Sequence, residues 1–384
     1  MREGRTMQKP RLDCLTTLRF FAAAQVVVFH CGGKALEGSP WWVQGMFQNG
    51  YQAVIFFFVL SGFILTYSYC QEGNDSELRT SNKDFWIARM ARIYPMYALA
   101  LLISVVPYIY STFVAHITPM PRFIGGILCV PLLLQAWIPK IAWEWNIPAW
   151  SLSVEAFFYA LFPLVVRKLF RNTTPKAFIA MAGIFVLATG VFLLSVSQSG
   201  GNEAAVSETK YKFFAFCPVW HLPAFLFGMA FGRLFMIERS RILGDKIFVL
   251  VSSFLVAIFA LHEKVSPIFL SAAVLTPLFG ILIFSAANCG GIIQKLLSHS
   301  WLIFLGEVSY GIYILHIPLA FWCSRIWERA LGHSPESNKA YFFIYFAAML
   351  LFCCLTFVLF EVPARRALTG YLKTALKGKE RSPV

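Results

Sequence analysis

The chain has 384 residues, 58% of them hydrophobic and only 14% charged, with 39 phenylalanines and a mean hydropathy of +0.65. That balance excludes an ordinary water-soluble domain, whose surface could not absorb so much apolar area, and points to a chain that crosses a membrane many times. The formal charge of +14 does not indicate a nucleic-acid partner, because the basic residues sit in short blocks between apolar runs, where they report topology.

At about 20 apolar residues per crossing, spans are predicted at 14–31, 51–70, 93–114, 152–167, 177–197, 216–233, 246–262, 268–288, 301–322 and 341–361. The first run begins near Cys14, is long enough to span and lacks a small-residue cleavage site, so it is read as a spanning helix rather than a cleaved signal. The stretch 123–139 is apolar as well, but Pro121, Pro131 and Pro139 each remove a backbone donor.

Basic blocks decide how to count that stretch. Arg2, Arg5, Lys9 and Arg11 place the start of the chain in the cytoplasm; Arg79, Lys83, Arg89 and Arg92, and then Arg167, Lys168, Arg171 and Lys176, mark two further cytoplasmic segments. An even number of crossings must separate those two, and 93–114 and 152–167 already supply it. The segment 123–139 is therefore expected to be re-entrant or interfacial, buried against the bundle.

Later blocks, Arg233 to Lys246, Lys295 and Arg365 to Arg381, alternate in the same sense. Outer loops fall at 32–50, 198–215 ("SQSGGNEAAVSETK" within it) and 323–340. Pro95, in "RIYPMY", is expected to break the start of the third span. Nine cysteines without a CxxC pair give no disulfide framework or metal site. The expected fold is an all-α polytopic transmembrane bundle of about ten spanning helices plus one Pro-interrupted re-entrant or interfacial segment. It occupies residues 1–366, followed by a basic cytoplasmic tail, 367–384, too short for a further domain.

The charges inside apolar runs carry the functional signal. Arg19 and His30 are eleven residues apart, which turns them only about 20° from each other and sets them roughly 16 Å apart along a helix. Ionisable groups within a span are costly and usually face a cavity or one another. The pair suits a long ligand with an anionic end near Arg19 and a reacting end near His30. Spacing alone leaves open that Arg19 snorkels to headgroups and that His30 bonds a neighbouring helix. Glu307 and His316, nine residues apart, face opposite ways on one span.

The stretch "LDCLTTLRFFAAAQVVVFH" resembles the opening of the membrane-bound acyltransferase 3 family, in which an Arg and a His separated by ten residues lie in the first helix, here Arg19 and His30. "VIFFFVLSGFIL", "FWIARMARIYPMY", "IPAWSLSVEAFFYALFPL", "HLPAFLFGMAFGR", "FLGEVSYGIYILHIPL" and "LFEVPARR" resemble the same family in its expected order, over residues 12–366. Cys14, Thr16 and Thr17 depart from the Gly or Arg-Gly common there. So does a chain that ends soon after its last span, where some members carry an esterase-like domain.

The resemblance implies a membrane O-acyltransferase of the bacterial plasma (inner) membrane. It would move an acyl group, most often acetyl from acetyl-CoA and without metal, to a hydroxyl of a carbohydrate, glycolipid or cell-surface polysaccharide. On that reading His30 is the general base, with Glu155 as its orienter or a second acid/base group. Arg19, Arg89 and Arg92 hold coenzyme A phosphates; Arg89 and Arg92, three apart, share one helix face. Trp150, Ser153, His221 and His316 are weaker candidates for the acceptor side, and Glu361 is expected to pair with Arg365 or Arg92. A secondary transporter of a polar or anionic solute is the rival reading, and it would show inverted halves with matching helix breaks. The sequence displays no such symmetry.

Overall fold

Long apolar runs can satisfy every backbone N–H and C=O in lipid only as helices, and a computed structural model shows that solution throughout. It describes residues 10–74, 76–198, 208–237, 244–335 and 338–380. Arg2, Arg5, Lys9, Arg239, Arg241, Arg381 and positions 199–207 of the polar loop lie outside the described residues. In chain order the helices are α1 (Asp13–Cys31), α2 (Gly33–Leu36), α3 (Trp41–Gln48), α4 (Ala53–Tyr69), α5 (Asn82–Phe113), α6 (Met120–Cys129), α7 (Trp150–Val165) and α8 (Pro175–Gln198). There follow α9 (Glu208–Phe216), α10 (Pro218–Ile237), α11 (Gly244–Ala260), α12 (Ala272–Ala287), α13 (Gly291–Leu297), α14 (Ser300–Leu331), α15 (Ala340–Thr356) and α16 (Val362–Glu380).

Each of the ten predicted spans coincides with a helix. Among the described residues eight helical stretches are long and apolar enough to cross a membrane, or nine if α12 and α13, bent by 99° at their junction, form one broken span. The difference from ten arises at α11, which stops at Ala260 after 17 residues, and at α12, which has 16 and turns sharply into α13. The chain is a multi-pass membrane protein.

The stretch 123–139 is not one spanning helix. The helix α6 ends at Cys129, Leu133 takes a left-handed φ of 59°, and 3-10 turns follow at Gln135–Trp137 and Pro139–Ile141. Irregular backbone at membrane depth must be buried in protein. Here Tyr94 Oη donates to Pro131 O at 2.7 Å, Tyr97 Oη to Val130 O, and Ser153 Oγ to Leu133 O.

The long α5 begins before the predicted span 93–114 and, at Pro95, corrects one expectation. It starts at Asn82, with Ser81 Oγ accepting from the Asp84 N–H at its N-terminus, so Arg89 and Arg92 sit on one helix as the three-residue spacing required. It also continues through Pro95 and Pro107 without a break.

A helical proline at position i frees the carbonyl of residue i−4, and at three of these sites another element supplies the donor. Trp322 Nε1 donates to Ile103 O (3.0 Å) below Pro107, Trp86 Nε1 to Tyr159 O (3.1 Å) below Pro163, and Asn146 Nδ2 to Ile314 O (3.0 Å) below Pro318. Trp322→Phe keeps an aromatic side chain, though a smaller one, and removes the donor, so it is expected to destabilise the detergent-solubilised protein by roughly 1–2 kcal/mol. In a Pro107→Ala background the restored N–H caps Ile103 O, and most of that loss should vanish in thermal melts.

Small residues set the two closest helix crossings. A Cβ on Gly228 of α10 would lie 1.9 Å from Val59 O of α4, and one on Gly306 of α14 would lie 2.0 Å from Thr16 O of α1. Only glycine allows these backbones to touch. The result fixes α1 on α14 and α4 on α10, while Phe58, Phe158 and Phe225 pack where α4, α7 and α10 meet, Phe58 edge-on to Phe158 and Phe158 stacked on Phe225 with ring centres 4.4 Å apart.

Candidate active site

A cavity of about 240 Å³ lies between α1, α4, α5, α7 and α14. Its polar lining is Arg19, Ser61, Arg89, Arg92, Ser151, Glu155, Tyr159, Ser309, Tyr310 and Tyr313; Phe57, Phe58 and aliphatic side chains supply the rest. Three guanidinium groups thus share a largely apolar space with a single carboxylate.

Each charge is held differently. Glu155 Oε1 accepts from Tyr159 Oη, one turn along the same helix, and from Ser61 Oγ at 3.4 Å. Arg89 Nη2 donates to Tyr69 Oη at 2.8 Å and the guanidinium lies over the Tyr69 and Tyr159 rings, but its Nε is buried without a hydrogen-bond partner. Arg92 pairs with Glu361, whose side chain is 1% exposed, and lies over the Tyr310 ring. Among the described residues no side chain hydrogen-bonds Arg19. Arg19 therefore faces the cavity with its donors available.

A second cavity of about 420 Å³, lined by Ala88, Arg89, Arg92, Arg365, Arg366 and Thr369, shares Arg89 and Arg92 with the first. On sequence, Arg365 is one of two possible partners for Glu361, and neither Arg365 nor Arg366 is assigned to ligand binding. Glu361 pairs with Arg92 rather than Arg365, and Glu307 pairs with Arg11.

His30 is exposed at the far end of α1 and does not line the first cavity. The expected hydrogen bond to Glu155 is absent; His30 Nδ1 lies 3.2 Å from Nε2 of the fully buried His316 and 3.0 Å from Val26 O. The reason is helix packing, since Gly306 draws α14 against α1 while Tyr159 and Ser61 hold Glu155 toward the arginines.

With both rings neutral, the contacts select one tautomer of each. Tyr313 O can only accept, so His316 Nδ1, 2.7 Å away, donates to it and His316 Nε2 is an acceptor. His30 Nδ1 must then carry the proton shared between Val26 O and His316 Nε2, leaving His30 Nε2 with an unprotonated lone pair.

Tyr313 stands between the two centres. It lines the cavity, its carbonyl accepts from His316, its hydroxyl meets Ser151 Oγ at 2.8 Å, and its ring packs on Phe57. No sequence feature singled out Tyr313, Tyr310 or Tyr159. The helical spacings 155/159 and 310/313/316 are the only signal that could have placed them beside the charged residues.

The remaining candidates sit behind the lining. Ser153 is engaged with Leu133 O of the irregular segment. Trp150 and His221 rings lie 5.3 Å apart, His221 packs on Phe58, and its Nε2 bonds Ala215 O at 2.9 Å. Among the described residues no group of three or more His, Cys, Asp or Glu could hold a metal ion.

This architecture, a helical bundle around a cationic cavity, defines a polytopic membrane protein. Residues 12–358 match the model of the Acyltransferase domain family (Acyl_transf_3), and the chain belongs to that family. It is 28% identical over 340 residues to Acyltransferase MdmB of Streptomyces mycarofaciens, covering 86% of this chain and 84% of that one. It is 23% identical to the inferred O-acetyltransferase SACOL0978 of Staphylococcus aureus (strain COL), covering 92% of this chain and 57% of the relative. Identity to the inferred peptidoglycan O-acetyltransferase YrhL of Bacillus subtilis (strain 168) is also 23%, over 79% and 48%. The chain thus spans only about half the length of the last two relatives. No solved structure matches.

Proposed function

We propose that this acyltransferase moves an acyl group, acetyl first of all, from acyl-CoA to a hydroxyl of a carbohydrate, glycolipid or cell-surface polysaccharide in a bacterial plasma membrane. The observation that carries this reading is the cavity itself. Arg19, to which no described side chain hydrogen-bonds, and the guanidinium of Arg89 line an apolar space between helices, and such donors call for an anion with an apolar extension. Acyl-CoA has that form. The relatives named as O-acetyltransferases favour acetyl as the group.

In this mechanism Arg19, Arg89 and Arg92 hold phosphate oxygens at the end of the bundle where α1 begins, taken as cytoplasmic. The acceptor reaches His30 at the opposite end. Its hydroxyl oxygen attacks the thioester carbonyl while His30 Nε2 takes the hydroxyl proton; a C–O bond forms, the C–S bond breaks, and the thiolate leaves to be protonated. Because Tyr313 and Phe57 line the cavity and His30 does not, the thioester has to pass beyond that lining to meet His30. Glu155 with Tyr159 is the second acid/base group, on the cavity side.

Arg19→Ala is expected to weaken acetyl-CoA binding about tenfold to a hundredfold, the loss of a hydrogen bond between charged groups. Calorimetry on the purified protein measures it, and unchanged affinity overturns the phosphate role. Mass spectrometry of surface glycans from cells with and without the chain identifies the acceptor by its missing acetyl group.

A further inference from the structure

The second cavity holds more positive charge than the bundle neutralises. The helix α5 contributes Arg89 and Arg92, and α16 contributes Arg365, Arg366 and Thr369. Among the described residues only Glu361 pairs with any of these four arginines; Arg365 and Arg366 have no ion pair. Like charges gathered around one space repel unless an anion joins them.

The surroundings keep the space open and defined. Along both helices the lining residues fall between two ion pairs, Arg92–Glu361 at one end and Lys373–Asp84 (3.5 Å) at the other. A π-helical turn, Phe357–Glu361, joins α15 to α16 and buries Glu361 against Arg92. Such turns recur at functional sites.

The two cavities adjoin at shared residues. Arg89 and Arg92 line both, so a molecule held by these two arginines has one cavity on either side of its anionic centre. In acyl-CoA the thioester, the diphosphate and the adenosine 3′-phosphate follow one another along the chain. With the acyl end beside Glu155 and the diphosphate at the shared arginines, the 3′-phosphate falls at the remaining two.

We propose that Arg365 and Arg366 form the subsite for the adenosine 3′-phosphate of the acyl donor, and so select coenzyme A thioesters over donors that lack this group. The inference rests on the acyl-CoA reading above and adds a specificity that the reading does not require.

The test compares acetyl-CoA with acetyl-dephospho-CoA as donors for the full chain in phosphatidylcholine nanodiscs, as kcat/KM, for the wild type, Arg366→Gln and the Arg365→Gln/Arg366→Gln double variant. The wild type should prefer acetyl-CoA about tenfold or more, the single variant should prefer it less, and the double variant should bring the ratio near one. Equal use of both donors by the wild type overturns the subsite. A double variant that loses the same factor with both donors also overturns it, and assigns the cations to the diphosphate that the two donors share. Arg366 is exposed, so the single variant folds even if the double variant does not, and an unchanged ratio in it with a misfolded double variant counts against the proposal. If neither donor binds or reacts with the wild type, the acyl-CoA reading itself fails.

Discussion

His30→Ala is expected to lower acyl transfer by about 10²–10⁴-fold, the range for loss of a general base, while the protein still inserts, folds and binds acetyl-CoA. The hydrogen-bond network motivates the size of the effect. His316, anchored by Tyr313 O and fully buried, presents an acceptor to His30 Nδ1 and thereby keeps the proton on that nitrogen and the lone pair on Nε2. His30 is also exposed, so an acceptor can reach it without passing through the core. The substitution removes little packing, and acetyl-CoA affinity measured on the same preparation should stay within a factor of two or so, within the range of small surface effects. A folded His30→Ala protein that transfers acetyl at the normal rate would exclude His30 as base.

His316 separates positioning from scaffolding. His316→Phe removes the acceptor, frees His30 to adopt the wrong tautomer, and is expected to lower kcat with little change in the KM for donor. His316→Gln places an amide oxygen that can still accept from His30 Nδ1, so partial recovery of kcat is expected. Failure of both variants alike, accompanied by loss of thermal stability, would mark His316 as a packing residue only.

How much of the site is legible in the amino-acid sequence depends on the cost of charge in lipid. Arg19, Arg89, Arg92 and Glu155 stand out because they interrupt apolar runs, and the structure gathers all four around one cavity. Partners are harder to assign. A helix such as α4 or α12 is apolar on every side, so periodicity cannot say which face meets which neighbour. Whether α7 or α14 brings a group to His30 depends on Gly306, which lets α14 touch α1 and carries His316 there. The tyrosines of the cavity are hidden among so many aromatic residues that packing is their natural reading. Ser153, a candidate donor for substrate, instead serves the backbone of the irregular segment, a need visible only once that segment is folded. Pro95 misleads for a related reason, since a helix held between neighbours in a bundle tolerates a missing donor that would end an isolated one.

Arg92 and Glu361 join stability to binding, and one cycle of variants can separate the two. Glu361 is 1% exposed, one of its oxygens pairs with Arg92, and the other has no hydrogen-bond partner. Arg92→Ala would leave a buried carboxylate without its ion-pair partner, so a loss of about 3–5 kcal/mol is expected, large enough to cut the folded yield. Replacing both partners by apolar side chains of similar size, Arg92→Leu with Glu361→Leu, removes the uncompensated charge along with the pair, and stability should return to within about 1 kcal/mol of the wild type or exceed it. Acetyl-CoA affinity should not return with it, because Arg92 also faces the two cavities. A double variant that melts like the wild type but binds acetyl-CoA about tenfold or more weakly places Arg92 in the phosphate cradle. One that melts and binds like the wild type would reduce the ion pair to a helix clasp between α5 and the start of α16, and would leave Arg19 and Arg89 to hold the donor alone.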